Sequence, residues 1–241
     1  MQRFDGIAEK LTRVKENIFN LESEISGFFQ EGDYPVLPEN DRKLLLEAIE
    51  YHKNRIIPPR FSVLAGEVVH HLRSCFDHIV WHYSTGPKQN EMPVDFPVFE
   101  AKPVKSYDRK RFEGKIQRVI DINVRLMIER LQPYNATDPI DDPLCIIHRF
   151  DIMDKHKELV FCIPTGARVF PPEMQSVVEG YQRQHPELDP AQIAYHFKGH
   201  GPLVPYISFK DFGRRKIQPV IPGLTDLFNY TVNAVNEFAS L

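Results

Sequence analysis

Apolar residues recur at spacings of three and four between Ser62 and Ser84, and this pattern limits the possible folds more than any other feature. The core stripe that it predicts consists of Leu64, Val68, Leu72, Cys75, Ile79 and Tyr83. Gly86 and Pro87 follow, and both residue types end helices. The segment therefore predicts a long helix with one face in the protein core.

The same periodicity predicts four further helical regions: 4–29, one or two helices within 107–131, 142–156, and 222–241. Asp141 or Asp142 is suited to cap the third of these regions, and Pro143 suits a first helical turn. The sequences "LVFCI" and "PYISFKDF" predict short strands.

Three other segments have weaker patterns. Residues 42–53 fit a helix by propensity, but their short length between proline-rich flanks favours a strand that pairs with 34–37. Residues 92–103 are predicted to form an extended loop, and 170–201 a long excursion rich in Pro, Gln and His. Together the segments predict a mainly α (α+β) fold: a helical bundle around a central helix, with a small antiparallel sheet, in a single domain over 1–241.

Composition restricts the partners and the compartment. A net charge of −3 and a pI of about 6.4 provide no overall basic field for nucleic acid, although a local basic patch is allowed. Three cysteines without a C-x-x-C motif argue against a disulfide framework. The opening residues lack the apolar run of a signal peptide, and no apolar run of 18 residues exists. We therefore expect a cytoplasmic protein that does not contact a membrane.

Titratable groups concentrate on the predicted central helix. Four of the ten histidines and the only tryptophan lie between Val68 and Tyr83. At 100° per residue, one stripe away from the core stripe contains Glu67, His71, Ser74, His78 and His82, flanked by His70, Asp77 and Trp81. Such a face would carry Lys, Glu and Gln if it were fully solvated, so we expect other parts of the chain to cover it.

A second cluster lies in "HRFDIMDKH", residues 148–156. His148, Asp151 and Lys155 share one side of this predicted helix, Asp154 lies near its apolar side, and His156 lies at its end. Polar groups beside apolar helix faces need partners. We therefore expect the two helices to pack together, with Arg73, Asp77 or His78 near Asp154 or His156.

The stretch from Arg73 to His78 fits the pattern R-x4-H and resembles the motif of the HEPN superfamily over this one helix. Ser74 stands where that superfamily usually has Asn, Asp or His. The resemblance implies a metal-independent RNA-cleaving hydrolase of defence or toxin–antitoxin systems, without a cofactor. Its composite site would form across a homodimer, with Arg73 stabilising phosphate charge and His78 moving a proton.

A metal site is the second interpretation of the same residues. His78 and His82 have the i, i+4 spacing of helical metal sites, and a divalent metal would find further candidate ligands in His71, His148 and Asp151.

The third interpretation is a structural or interaction protein, in which these groups only satisfy buried hydrogen bonds.

Four motifs together resemble a family of uncharacterised bacterial proteins. They are L-R-S-x-x-D-H-x-x-W, F-P, L-Q-P-Y and D-K-H, and they span about 62–161. The resemblance implies a bacterial source and groups several residues into one candidate site, without assigning its activity. Within that site we expect catalytic roles for Arg73, Asp77, His78, Asp154 and His156, and substrate binding by Trp81 and Lys155.

Overall fold

The computed structural model describes residues 4–34, 41–85, 95–157, 159, 161–163, 172–188, 196, 205–213 and 218–241. The fold is mainly helical with a small antiparallel sheet, which confirms the predicted class. The helices are α1 (Asp5–Gln30), α2 (Arg42–Lys53), α3 (Pro59–Tyr83), α4 (Ser106–Ile116), α5 (Ile122–Arg130), α6 (Pro143–His156), α7 (Pro172–Gln184) and α8 (Val220–Ala239). Within the described residues, no helix is long and apolar enough to cross a membrane.

Helix α3 lies at the centre and packs against α1, α6 and α8. All six residues of its predicted core stripe are buried. The helix begins at Pro59 and not at Ser62, because a proline fits the first helical position, where no N–H bond is lost. Ser62 lies within the first turn, and its hydroxyl accepts a hydrogen bond from the backbone N–H of Leu159 at 3.0 Å.

Helix α1 packs along the length of α3. The contacts run in opposite directions along the two helices: Phe28 with Phe61, Asn17 with Glu67, and Phe4 with Tyr83. Helix α8 covers another side of α3, where the Tyr83 hydroxyl donates to the Phe238 carbonyl at 2.5 Å. These contacts bury the sides of α3 that face α1 and α8, and so determine which part of its surface stays accessible.

The predicted strand over 42–53 is wrong, because this segment is helix α2. The Asp41 carboxylate accepts hydrogen bonds from the N–H groups of Lys43 and Leu44, and a side-chain cap of this kind starts a helix. The sequence within the helix is rich in Leu, Glu, Ala and Lys, which favour helix. Of the proposed partner strand, residues 35–37 lie outside the described residues.

The sheet contains β1 (Phe161–Cys162), β2 (Ser208–Phe209) and β3 (Gln218–Pro219) in the order β1-β2-β3, antiparallel throughout. Phe161 pairs with Phe209, and Ser208 pairs with Pro219. The strands are shorter than the segments predicted for them. The Phe209 ring lies 4.9 Å from that of Phe150 on α6, so the sheet supports the outer side of α6.

Two helices, α4 and α5, form in the region for which one or two were predicted. Helix α6 begins after Asp142, whose carboxylate accepts from the N–H groups of Leu144 and Cys145, as predicted. Residues 95–105 form neither helix nor strand, in agreement with the predicted loop, whose residues 92–94 are outside the described part. The segment 170–201, which was predicted to be a long loop excursion, contains α7. Most of its other residues are not among those that the structure describes.

Candidate functional site

One narrow stripe of α3 stays partly exposed along the whole helix. Its members recur every three or four positions and include Val63, Glu67, His70, His71, Ser74, Asp77, His78, Trp81 and His82. From Phe61 onward, the rest of the helix is buried against its neighbours. Helix α1 borders one edge of this stripe and α6 the other, as the contacts below show. We call it the α3 stripe. We expected other parts of the chain to cover the titratable face of α3. They cover its two edges, whereas its middle stays partly exposed.

The edge beside α1 is polar. Asn17 is fully buried and donates its side-chain N–H to the Glu67 carboxylate at 2.9 Å. The amide oxygen of Asn17 and Nδ1 of His71 are both buried and have no hydrogen-bond partner among the described residues. Glu67 and His71 are four residues apart and therefore lie on the same side of α3.

Farther along the same edge, burial lowers the pKa of His71 and His78, and the nearby Lys10 of α1 lowers both further. A pKa below 6.5 leaves both imidazoles mainly neutral at pH 7. The His82 ring contacts Phe4 of α1, at a distance of 5.5 Å between ring centroids.

The edge beside α6 contains a histidine–carboxylate pair. Nδ1 of His70 lies 3.1 Å from Oδ1 of Asp151, and Nζ of Lys155 lies 2.6 Å from Oδ2 of the same carboxylate. Asp151 is buried, with 4% of its side chain exposed, whereas His70 and Lys155 are about half exposed at 53% and 51%. An ionised carboxylate only accepts, so Nδ1 of His70 carries the proton and Nε2 is free to act as a base.

Asp154 lies next to this pair, against the backbone of Gly66. A Cβ atom added at position 66 would overlap the Asp154 carboxylate, so the glycine permits α6 to approach α3 this closely. Burial raises the pKa of Asp154, and the neighbouring carboxylates of Asp151 and Glu67 raise it further. The D-K-H motif thus contributes one residue that contacts the α3 backbone and one that pairs with Asp151.

Arg73 and Asp77 hold the chain at Phe96. Arg73 donates to Asp77 at 2.6 Å and to the Phe96 carbonyl at 2.9 Å, and Asp77 accepts from the Phe96 N–H at 2.8 Å. Only 6% of the Arg73 side chain is exposed. The pair therefore positions the F-P segment and directs the guanidinium into the protein.

His148 completes this arrangement from α6. Nε of Arg73 donates to Nδ1 of His148 at 3.4 Å, which places the imidazole proton on Nε2. Burial lowers the pKa of His148 to about 4, and the positive charges of Arg73 and Lys115 contribute to the decrease. His148 is consequently a neutral hydrogen-bond acceptor at neutral pH.

Gln132, of the L-Q-P-Y motif, holds the same segment from its other side. Its side chain donates to the Pro97 carbonyl at 2.9 Å and accepts from the Phe99 N–H at 3.2 Å. Three of the four recognised motifs therefore meet at residues 96–99. This role was not predicted from the sequence, although the joint occurrence of the F-P and L-Q-P-Y motifs was its signal.

The predicted packing of α3 on α6 is confirmed, but its contacts differ from those expected. Arg73 contacts His148 and not Asp154 or His156, which lie about two turns farther along α6. His156 is exposed at the end of the helix. His78, at the α1 edge, points about 140° away from Arg73 because five residues separate the two.

The alternative metal ligands are divided between the two edges of the α3 stripe. His71 and His78 lie near Lys10 of α1 and His82 beside Phe4, whereas His148 and Asp151 belong to the α6 edge. Among the residues that the structure describes, no group of three His, Cys, Asp or Glu side chains is placed to hold a metal ion.

The thiols are free, and two of them are deeply buried. Cys75 and Cys145 are 0% and 1% exposed, and burial raises the pKa of each to about 12. Neither thiol ionises near neutral pH, so neither is a ready nucleophile.

Comparison of the chain with protein-family models, with curated proteins and with solved structures finds no match. Function is therefore inferred from the geometry of the α3 stripe.

Proposed function

We propose that this protein is a metal-independent hydrolase that cleaves RNA, with His70 as its acid–base group. The observation that carries the proposal is the pair formed by the half-exposed His70 and the buried Asp151, with the Lys155 ammonium on the other carboxylate oxygen. A carboxylate that fixes the tautomer of a histidine is the usual support for a general base.

The groups around His70 suit a substrate that carries its own nucleophile. They are acids, bases and a cation, and none of them is a nucleophile. The buried thiols of Cys75 and Cys145 remain protonated and therefore do not provide one either. RNA meets this requirement through its 2′-hydroxyl group. The alignment of a base and a cation with one phosphodiester is therefore sufficient for cleavage.

In the proposed step, Nε2 of His70 takes the proton of the 2′-hydroxyl. The 2′-oxygen forms a bond to phosphorus, the bond from phosphorus to the 5′-oxygen breaks, and the leaving 5′-oxygen takes a proton from solvent. The products are a 2′,3′-cyclic phosphate and a 5′-hydroxyl. Lys155 stabilises the negative charge that develops on the phosphate oxygens.

This assignment moves the base from His78, which the HEPN resemblance implied, to His70. Arg73 becomes a positioning residue, because its guanidinium already donates to Asp77, Phe96 and His148 inside the protein. His70, Asp151 and Lys155 all belong to one chain, so the proposed site does not require a second copy. The homodimer expected from the sequence stays a prediction, which light scattering tests.

The test is cleavage of a single-stranded RNA in excess chelator. We expect His70→Gln and Asp151→Asn to reduce kcat by about a hundredfold or more, and Lys155→Met to reduce it by about tenfold or more. His78→Gln and Lys157→Met are matched controls that should retain kcat. DNA of the same sequence should remain intact, because it lacks the 2′-hydroxyl.

Three results would contradict the proposal: no cleavage by the unmodified protein, cleavage only after a divalent metal is added, or loss of activity in His78→Gln but not in His70→Gln. The last of these would return the base to the R-x4-H motif.

A further inference from the structure

The α3 stripe continues beyond His70 to an exposed aromatic ring. Trp81 lies eleven residues after His70 and is 40% exposed. At 1.5 Å per residue the two positions are roughly 16 Å apart along the helix axis. At a stacked rise of about 3.4 Å per nucleotide, this distance corresponds to about five nucleotides, and to fewer if the strand is extended.

The part of the stripe between these residues lies beside cations. Lys10 of α1 is close enough to influence the pKa of His71, Cys75 and His78, and Arg13 also acts on His71. Among the acidic groups near the stripe, Glu67, Asp151 and Asp154 lie at or beyond His70, whereas Asp77 lies on the path itself and is paired with Arg73 at 2.6 Å. A phosphate backbone would therefore meet Lys10 and Arg13 on the path from Trp81 to His70, and the unpaired acidic groups only beyond it.

We propose that a single RNA strand lies along the α3 stripe, with one base stacked on Trp81 and the phosphodiester to be cleaved at His70. This inference rests on the proposed function and names the form of RNA and the path that the substrate takes. Base stacking on an aromatic side chain tolerates any base, because every base presents a flat face. The path therefore selects unpaired RNA over duplex RNA, with little sequence preference.

The chemistry of the stripe favours RNA over a protein helix as the occupant. A docked amphipathic helix needs apolar anchors at successive turns of its partner surface. Between Val63 and Trp81 the stripe instead presents carboxylate, imidazole and hydroxyl groups. One exposed ring with nearby cations is the combination found in sites for single-stranded nucleic acid.

Trp81 is the only tryptophan, so selectively excited tryptophan fluorescence of the intact protein reports on this position alone. The probe is a 2′-O-methyl RNA of ten nucleotides, which has no free 2′-hydroxyl and is not cleaved. We expect saturable quenching by this strand, weaker quenching by a three-nucleotide strand that does not span the path, and little by the duplex.

Activity provides a second test with an unmodified strand. Trp81→Ala should raise KM by about ten- to a hundredfold while kcat changes little, and Trp81→Phe should restore most of the affinity. Leu126→Ala, which removes an exposed apolar side chain of α5 outside the stripe, is the control and should leave KM unchanged. An unchanged KM in Trp81→Ala, or equal quenching by the duplex and the single strand, would overturn the path.

The two proposals fail in different ways. Cleavage by the unmodified protein without quenching of Trp81 would overturn the path alone. Quenching without cleavage would overturn the hydrolase and leave an RNA-binding protein. Quenching by an amphipathic helical peptide but not by RNA would replace the strand with a protein partner and overturn the path.

Discussion

Arg73 and Asp77, one turn apart on α3, form an ion pair that holds both backbone polar groups of Phe96. From the sequence both residues are catalytic candidates. In the structure both side chains instead hold the loop at Phe96 in place by hydrogen bonds to its backbone. A buried pair of this kind has a clear signature in mutants, since removal of one partner leaves the other charge without compensation.

We predict that Arg73→Ala lowers the free energy of unfolding by about 3 kcal/mol or more, because Asp77 then stays half-buried without its cation. In urea unfolding, the double variant Arg73→Ala/Asp77→Ala should lose much less than the sum of the two single losses. Unchanged stability in Arg73→Ala together with complete loss of RNA cleavage would contradict this role and support a catalytic arginine.

A second prediction concerns stability in acid. The pKa of His148 is about 4 in the folded protein and 6.5 as its ordinary value. Between these values the unfolded chain binds a proton that the folded protein does not bind, so the free energy of unfolding falls as the pH decreases from 6.5 to 4. After allowance for solvent screening, the loss from this residue is about 2 kcal/mol.

The variant His148→Gln keeps an acceptor for Arg73 but does not titrate, so it isolates this contribution. Asp77 and Asp154 have raised pKa values and act in the opposite direction, but they are present in both proteins. Urea unfolding between pH 4 and pH 8 should show a shallower acid decline in the variant. Parallel curves for the two proteins would refute the assignment.

A third prediction follows from the contact of Gly66 with Asp154. Gly66→Ala should destabilise the protein by about 1–3 kcal/mol, because the new methyl group overlaps the Asp154 carboxylate. Gly66→Ala combined with Asp154→Gly should recover part of this loss. Gly27→Ala is the matched control: nothing lies within 4 Å of its added Cβ, so helix propensity alone should stabilise it by up to about 1 kcal/mol. Thermal unfolding of the four proteins distinguishes local overlap from a general effect of alanine.

A fourth prediction concerns the thiols. Cys75 and Cys145 are buried with pKa values of about 12, whereas Cys162 is only half-buried. A thiol reagent at pH 8 should therefore modify one cysteine rapidly, and the other two only on unfolding. Mass spectrometry of the modified protein identifies the site. Rapid modification of Cys75 would mean that the α3 core opens far more readily than its burial implies.

The predictable part of the fold was the part that depends on local pattern. The core stripe of α3 and the Asp142 cap depend on residues within one or two turns, and both predictions are confirmed. Helix α2 was missed because the proline-rich flanks received more weight than the Asp41 cap and the helix-forming residues that follow it.

The candidate site was less predictable, because its contacts depend on how two helices are rotated against each other. The sequence placed His148, Asp151 and Lys155 on one side of α6 and His70 on the flank of α3, but it did not show that His70 meets Asp151. Arg73 similarly contacts His148 where Asp154 or His156 was expected. Gly66 was the feature that could have fixed the crossing point of the helices, because a glycine marks a close approach.

The hydrogen bond between Tyr83 and Phe238 joins residues 155 positions apart, while the bond between Asn17 and Glu67 spans only 50. During synthesis α3 therefore meets α1 early, and it waits for α8 until nearly the whole described chain has left the ribosome. Contacts of such long range slow folding, and the uncovered side of α3 is meanwhile an apolar surface that attracts other chains. A fragment that ends before residue 220 should accordingly aggregate or be captured by chaperones, although it contains every residue of the proposed catalytic pair.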